Sequence, residues 1–368
     1  MTSIPLNRLC KLGPTSMTQA TGVRRLCSGV RPHGPLHLGH WAGLLQEWLK
    51  CQGEYECFFL IADVQALAAH QGNPGMLAAS VREVALDWLA AGIDPKRSHF
   101  IVQSRTPELA ELTIYLQMLV RTGELRRNTT MREEARALGQ RNLYERMNDI
   151  HFGFLGYPVA QVADILLFST TPPRTDDRLV VCAGQDQLPH VELARTIARR
   201  FNETYGDVFV EPEARTAPYP ELAGTDGGYK MGTTARNSIL LTESREDYEP
   251  KIGAMFTDPM RLKRSDPGHP DACACFTFLS ALGWDVADRD RRRESCTAGE
   301  AYCKQCKDDL VAAVDRVLGP FQERRAELAK DPGLVDDALA EGTRRAREVA
   351  GRTMERVRDA MHLARPRA

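Results

Sequence analysis

Two histidines three residues apart, His37 and His40, flank Gly39 in the run Ser28-Gly29-Val30-Arg31-Pro32-His33-Gly34-Pro35-Leu36-His37-Leu38-Gly39-His40. Imidazole N–H groups donate well to phosphate oxygens, and a glycine between them lets a nucleotide come close to the backbone. The run follows a short apolar stretch and opens a helix, which is where a doubly wound sheet binds nucleotides. Residues i and i+3 of a helix share one face. On an arbitrary helix such a pair is more often structural; the preceding strand and the Gly/Pro loop turn the reading toward phosphate. Neither GxGxxG nor GK[ST] occurs, which excludes the dinucleotide fingerprint and the P-loop.

Two carboxylates stand at comparable places. Asp164 is the one acid in the apolar run from Tyr157 to Leu166, three residues after Gln161. A buried acid needs a donor, supplied either by a backbone cap or by a ligand N–H. Asp186 lies in Gly184-Gln185-Asp186-Gln187, between an apolar stretch and an amphipathic helix, and either caps that helix or faces a ligand at the carboxyl edge of a sheet.

Ten cysteines in a large chain of a reducing compartment argue for metal binding over disulfides wherever they cluster. Cys273, Cys296, Cys303 and Cys306 are spaced C-x22-C-x6-C-x2-C, with Cys275 as a spare. Four thiolates suit a structural zinc or a [4Fe–4S] cluster. Arg289, Arg291, Arg292, Arg293, Lys304 and Lys307 nearby either meet nucleic-acid phosphates or solvate a loop.

The elements that must position these residues are legible as an alternation. Residues 26–30, 57–62, 99–103 and 179–183 read as short buried strands, and the segments between them as helices. The clearest helix has Asn73 as N-cap, Pro74 at the first position, an apolar stripe through Leu77, Val81, Val84, Ala85 and Trp88, and Gly92 as the stop. Apolar strands alternating with amphipathic helices imply an α/β fold, a doubly wound parallel sheet. Beyond about residue 240 helical periodicity dominates. The expected organisation is a mobile leader over 1–22, a Rossmann-like catalytic domain with a helical insertion over 23–240, a helical domain with the cysteines over 241–340, and a basic helix over 341–368.

The 368 residues are 43% hydrophobic and 26% charged, which excludes a disordered or collagen-like chain. Forty-eight basic residues oppose 49 acidic ones, so any basic surface is local. The last 25 residues are such a place, where the arginines either face phosphate or solvate a terminal helix. No run reaches the roughly 18 apolar residues of a membrane span, and no signal-peptide core occurs; a cytoplasmic protein without a membrane partner is expected.

His37-Leu38-Gly39-His40 resembles the HIGH motif of class I aminoacyl-tRNA synthetases, and the flanking GVRPHGPLHLGH is similar to tryptophanyl-tRNA synthetases in particular, with further matches in order over nearly the whole chain. The resemblance implies the class I synthetase fold, with a helical anticodon-binding domain after the sheet. It implies a tryptophan–tRNA ligase that uses ATP and Mg2+ to form tryptophanyl-adenylate from L-tryptophan, transfers it to tRNA(Trp), and works as a homodimer. By the same resemblance Asp164 receives the indole N–H, Gln161 and Gln187 line the tryptophan pocket, and Asp186 bonds the ribose. Arg31, Pro32, His33, Gly39, His40, Gly184 and Gln185 hold ATP, and His37, His40 and Lys230 stabilise the transferring phosphate. The cysteine spacing resembles the [4Fe–4S] motif of some bacterial members, which favours that cluster over zinc. Asp258 to Gly268 resembles the DPxRxxxSDPG stretch, to which no chemistry attaches.

One departure stands out. Lys230-Met231-Gly232-Thr233-Thr234 occupies the place of KMSKS, and the second lysine is missing. Thr233 and Thr234 donate neutral hydrogen bonds, worth about 1 kcal/mol against about 1.5–3 for a charged one, so adenylation is expected to slow by an order of magnitude or more unless Arg236 compensates. The alternatives are a paralogue that adenylates tryptophan or an analogue for another acceptor or for inhibitor resistance, and a catalytically inactive iron–sulfur RNA-binding protein. Tyrosine is disfavoured as substrate by the Asp164 segment and the cysteines.

Overall fold

The computed structural model describes residues 22–363 except 71–73, 138–150, 171–172, 175, 220, 228–230, 233–236, 257 and 259. The expected leader, the N-cap Asn73, and Lys230, Thr233, Thr234 and Arg236 therefore lie outside the described residues, save Gly22 at the leader's end.

Among the described residues five strands, β1 (Arg24–Val30), β2 (Glu56–Ile61), β3 (Ser98–Val102), β4 (Arg178–Cys182) and β5 (Glu213–Arg215), form a parallel sheet in the order β3-β2-β1-β4-β5. The four expected strands are present within a few residues of their expected ends. The fifth is short and polar and gives no apolar run to read. Helices α1 (Leu38–His40) and α2 (Gln46–Cys51) follow β1, separated by one π-pitched turn, Trp41–Leu45. Then come α3 (Asp63–His70), α4 (Pro74–Ala91), α5 (Glu108–Gln117), α6 (Thr122–Arg127), α7 (Thr129–Ala137), α8 (Phe152–Leu166) and α9 (Leu188–Tyr205). The carboxyl-terminal part is helical, with α10 (Arg245–Ala254), α11 (Ala274–Leu282), α12 (Val286–Thr297), α13 (Cys303–Leu328) and α14 (Pro332–Ala360). Proline opens α4 as expected, and Gly92, at φ +102°, ends it in a conformation that costs other residues a steric penalty.

Side chains alternate across the sheet and feed two cores. Leu26, Phe59, Ile61, Phe100, Val102 and Val180 face one, where Trp48 stacks on Phe59 with ring centroids 4.1 Å apart. Cys27, Phe58, Leu60, Ile101, Leu179 and Val181 face the other, against α5, α8 and α9. Both faces are covered, which is why the strands read as continuous apolar runs. Helix α14 begins in the first core through Val335 and Leu339 and ends in the second through Ala346, Val349 and Val357, so it wraps the free edge of β3. The chain order departs in opposite directions from β1 and β4, and the switch point between their carboxyl ends is where ligands bind in such sheets.

Candidate active site

At that switch point lies a cleft of about 330 Å³, lined by the loop after β1, the loop after β4, one face of α8 and Met231. The histidine motif has a geometry that differs from the expectation of two rings on one helix face. His37 is the N-cap of α1, with extended backbone, and its Nδ1 accepts from the Gly39 N–H at 3.1 Å. His40, at the third helical position, accepts from the His37 N–H through its own Nδ1 at 3.2 Å. The reciprocal arrangement satisfies helix N-terminal donors that otherwise lack partners. It also fixes the tautomer: with Nδ1 accepting, a neutral ring carries its proton on Nε2, as a phosphate oxygen requires. The rings stand 4.0 Å apart. Gly39 is required by this pose, because a Cβ there would fall 2.9 Å from the His37 ring.

Arg31 and His33 line the same cleft, as do Gly184, Asp186 and Gln187. Pro32 is buried and Gln185 exposed, and neither lines it. Gln161 donates to the Gln187 side-chain carbonyl at 3.0 Å, and Gln187 donates to Asp186 at 3.1 Å, a polar chain across one wall. No side-chain cap of α9 is present, so Asp186 does not serve as the helix cap. Met231 is buried with its N–H on Leu222, while Gly232 donates to the buried side chain of Asn237, which in turn donates to Asp226.

Asp164 lies in the last turns of α8 and is 8% exposed, so it is no N-cap. Gln103 donates to both its oxygens, at 2.9 and 3.1 Å, and Gln65 to Oδ2 at 2.6 Å. Burial pushes the carboxyl up to about 7, against the Gln103 hydrogen bond, which lowers it. Sequence reasoning missed both glutamines. Their only signal was position: Gln103 directly follows β3 and Gln65 lies in the first turn of α3 after β2, both at the carboxyl edge of the sheet.

The family model described as class I tRNA synthetases for W and Y matches residues 19–319. The chain belongs to the class I tRNA synthetases. It is 41% identical to the tryptophan–tRNA ligase of Thermotoga maritima, over 92% of this chain and 99% of that one, and 35% identical to that of Aquifex aeolicus, over 92% and 100%. The crystal structure of tryptophanyl-tRNA synthetase from Campylobacter jejuni complexed with ADP and tryptophan superposes with a TM-score of 0.72 at 28% identity, covering 92% of this chain and all of that one.

In this synthetase the four spaced cysteines line one small cavity together with buried Cys275, Asp258, Arg261 and Arg292. They do not form the expected ligand set as placed: among the described residues no group of three or more His, Cys, Asp or Glu side chains stands in a metal-holding arrangement. Burial raises the thiols of Cys273 and Cys296 above the ordinary range and that of Cys306 to about 11. Arg261 and Arg292 oppose this at Cys296, and Arg292 at Cys306; the Arg292 guanidinium lies 3.6 Å from the Cys306 sulfur and that of Arg261 3.9 Å from the Cys303 sulfur.

The DPxRxxxSDPG-like stretch, to which the sequence attached no chemistry, is the roof of this cavity. The buried Asp258 holds the backbone N–H groups of Met260 and His269, and the Gly268 N–H donates to the Cys296 carbonyl at 2.8 Å. A Cβ at Gly268 would collide with the Cys296 sulfur.

The arginines of α12 are engaged with carboxylates, Arg291 with Asp288, Arg292 with Asp309 and Arg293 with Asp271. Three of those of α14 reach back to β2 and α5: Arg345 pairs with Glu56 of β2, and Arg347 and Arg358 pair with Glu108 and Glu111 of α5. No helix among the described residues is long and apolar enough to cross a membrane.

Proposed function

We propose that the cleft between β1 and β4 joins L-tryptophan to ATP and then to tRNA(Trp), with the roles divided as follows. The chain is a tryptophan–tRNA ligase, an ATP-dependent aminoacyl-tRNA synthetase of a family that works with Mg2+. The carboxylate of tryptophan attacks the α-phosphorus of ATP; the new O–P bond forms as the bond to the β-phosphate bridging oxygen breaks, and pyrophosphate leaves. A hydroxyl of the terminal tRNA ribose then attacks the acyl carbon and AMP departs. No covalent enzyme intermediate is needed, so the protein acts by positioning and charge stabilisation.

His37 and His40 donate to the phosphates through Nε2, and Lys230 adds charge. Arg31, His33, Gly39 and Gly184 cradle ATP, with Met231, Gly232, Thr233 and Thr234 over the phosphates and Asp186 on the ribose hydroxyls; Pro32 and Gln185, which do not line the cleft, shape the two loops. Asp164 receives the indole N–H, flanked by Gln161 and Gln187. The observation that carries this reading is Asp164, a nearly buried acid lining a cleft that also holds both motif histidines. An indole N–H is donor-only and a carboxylate acceptor-only, so a substrate with an apolar ring leaves the acid unpaired.

Cys273, Cys296, Cys303 and Cys306 fit a [4Fe–4S] cluster by donor chemistry: four soft thiols face one cavity with two guanidinium groups against their sulfurs, which suits an anionic thiolate cluster. Zinc is the alternative for the same donors. Such a group supplies order to the segment between α10 and α13 and takes no part in the acyl transfer. The helical region over 241–340 is the anticodon-binding part. The active unit is a homodimer, to which exposed Ile114 of α5, Met118 at its C-cap and Phe152 of α8 are suited.

The test is aminoacylation by anaerobically purified protein, with labelled tryptophan, ATP and the tryptophan tRNA of its host. Charging at a useful rate supports the reading and shows that Gly232-Thr233-Thr234 suffices. Adenylate formation without charging favours the paralogue with another acceptor, a reading motivated by the missing second lysine.

A further inference from the structure

We propose that Gln65 and Gln103 are positioning residues that hold Asp164 as a hydrogen-bond acceptor facing the cleft, and that they set the selection of an aromatic side chain bearing an N–H. The inference rests on the assignment of Asp164 to the indole.

Three observations carry it. The first is the pattern of donors. Gln103 reaches both oxygens of Asp164 and Gln65 reaches Oδ2, and both donors are neutral amides. A carboxylate offers about four lone-pair sites, so the amides leave room for one further donor from the ligand. A lysine or arginine in their place would neutralise the acid and compete for that site. Among the described residues a titratable neighbour is Cys27 of β1, whose thiol burial keeps protonated, and Tyr157 of α8 lines the same cleft.

The second is that the amide orientation is fixed. The Gln103 side-chain carbonyl accepts from the Gln65 backbone N–H at 3.1 Å, which obliges its NH2 to point at Asp164. A flipped amide would set an oxygen against the carboxylate and a donor against a donor.

The third is that the ends of β2 and β3 are tied together. Asp63 accepts from the Ser104 N–H at 2.9 Å and from the Ser104 hydroxyl at 2.5 Å, one residue beyond Gln103 and two before Gln65. The two glutamines are thus presented from a cross-linked rim, and the acid from α8 opposite. An acid without these donors protonates more readily, and its carboxyl group can then turn an O–H toward the ligand, which suits an indole N–H poorly.

The experiment measures tryptophan-dependent ATP–pyrophosphate exchange from pH 6 to 9 for Gln103→Leu, Gln65→Leu and the near-isosteric Gln65→Glu, with Asp164→Asn in parallel. The leucine variants are expected to raise the tryptophan KM about tenfold or more with the ATP KM little changed. They should also move the pH below which tryptophan binding weakens upward from about 7. Gln65→Glu should move it further, because two adjacent carboxyls share a proton. A structural role alone would not shift that pH. An unshifted profile in Gln65→Glu with a tryptophan KM within twofold of the parent overturns the inference, and so does the same result for Gln103→Leu. If instead Asp164→Asn leaves the tryptophan KM unchanged, the indole assignment is what fails.

Discussion

Gly342 of α14 lies against Phe100 of β3 so closely that a Cβ at position 342 would sit 2.3 Å from the Phe100 carbonyl oxygen. This is the point at which α14 passes from one core to the other around the edge of the sheet. The neighbouring Thr343 hydroxyl accepts the Val102 N–H at 3.4 Å, so the helix also serves an edge-strand donor. An uncovered edge would offer its backbone to other chains. Gly342→Ala should therefore force backbone apart and cost about 1–3 kcal/mol or more, seen as a lower melting temperature. Gly351 of the same helix meets nothing within 4 Å, and Gly351→Ala should act in the opposite direction, by roughly 0.5–1 kcal/mol, through helix propensity alone. Equal effects of the two substitutions would refute the close-approach account.

The same wrapping is fastened by Glu56. Its carboxylate accepts from Arg25 at 2.9 Å and Arg345 at 2.7 Å, with His99 at 3.6 Å. Burial opposes ionisation, but the hydrogen bonds from His99, Arg25 and Arg345 outweigh it and hold the group well below the usual carboxylate range. A depressed acid contributes stability that is present above its unfolded pKa and lost as pH falls through the folded one. Glu56→Gln should cost about 1–3 kcal/mol at neutral pH. It should also flatten the loss of thermal stability below about pH 4, where the parent gives up this contribution. A parent and variant whose melting temperatures fall in parallel on acidification would disprove it.

The sequence disclosed those parts of the fold that depend on local pattern. Doubly covered strands read as apolar runs, and Pro74 and Gly92 marked the ends of α4, because burial and backbone geometry leave traces within a few residues. The edge strand β5 left none, being three residues long with Glu213 and Arg215 among them. The site was legible where a motif is contiguous, as in His37 to His40, yet the capping roles of those rings were not, since the spacing is equally compatible with a helical face. Gln65 and Gln103 were illegible because they meet Asp164 from the segments that follow two different strands, and amide side chains carry no periodic or charge signal. Arg345, Arg347 and Arg358 read as part of a basic terminal surface because their partners Glu56, Glu108 and Glu111 are distant in sequence.

For the cysteine cavity, anaerobically purified protein is expected to contain about four iron atoms and about four acid-labile sulfides per chain. Serine at Cys273, Cys296, Cys303 or Cys306 should abolish the visible absorption and lower the melting temperature. Cys275→Ser should retain the iron, since Cys275 is buried in the core with its thiol pushed up by burial and is not one of the four spaced cysteines. Stoichiometric zinc would transfer the site to the structural-zinc reading, and retention of iron by all four serine variants would overturn the ligand assignment.

The last prediction concerns pH and tryptophan. Burial raises the Asp164 carboxyl to about 7, so it ionises well above its ordinary value of about 4. Between these two pH values the folded chain binds a proton that the unfolded chain has released, and the contribution of Asp164 to stability therefore falls as pH rises from about 4 to about 7 and is constant above. An indole N–H favours the ionised acceptor. If only that form binds tryptophan, the KM for tryptophan should be about tenfold higher at pH 6 than at pH 8, while the KM for ATP changes little. Bound tryptophan should correspondingly lower the carboxyl pKa, release protons near pH 7, and stabilise the protein more at pH 8 than at pH 6. Thermal shift at saturating and zero tryptophan across that range, together with exchange kinetics, measures both. A tryptophan KM that is flat from pH 6 to 8 would mean that Asp164 does not titrate where its burial puts it, or that it does not meet the indole.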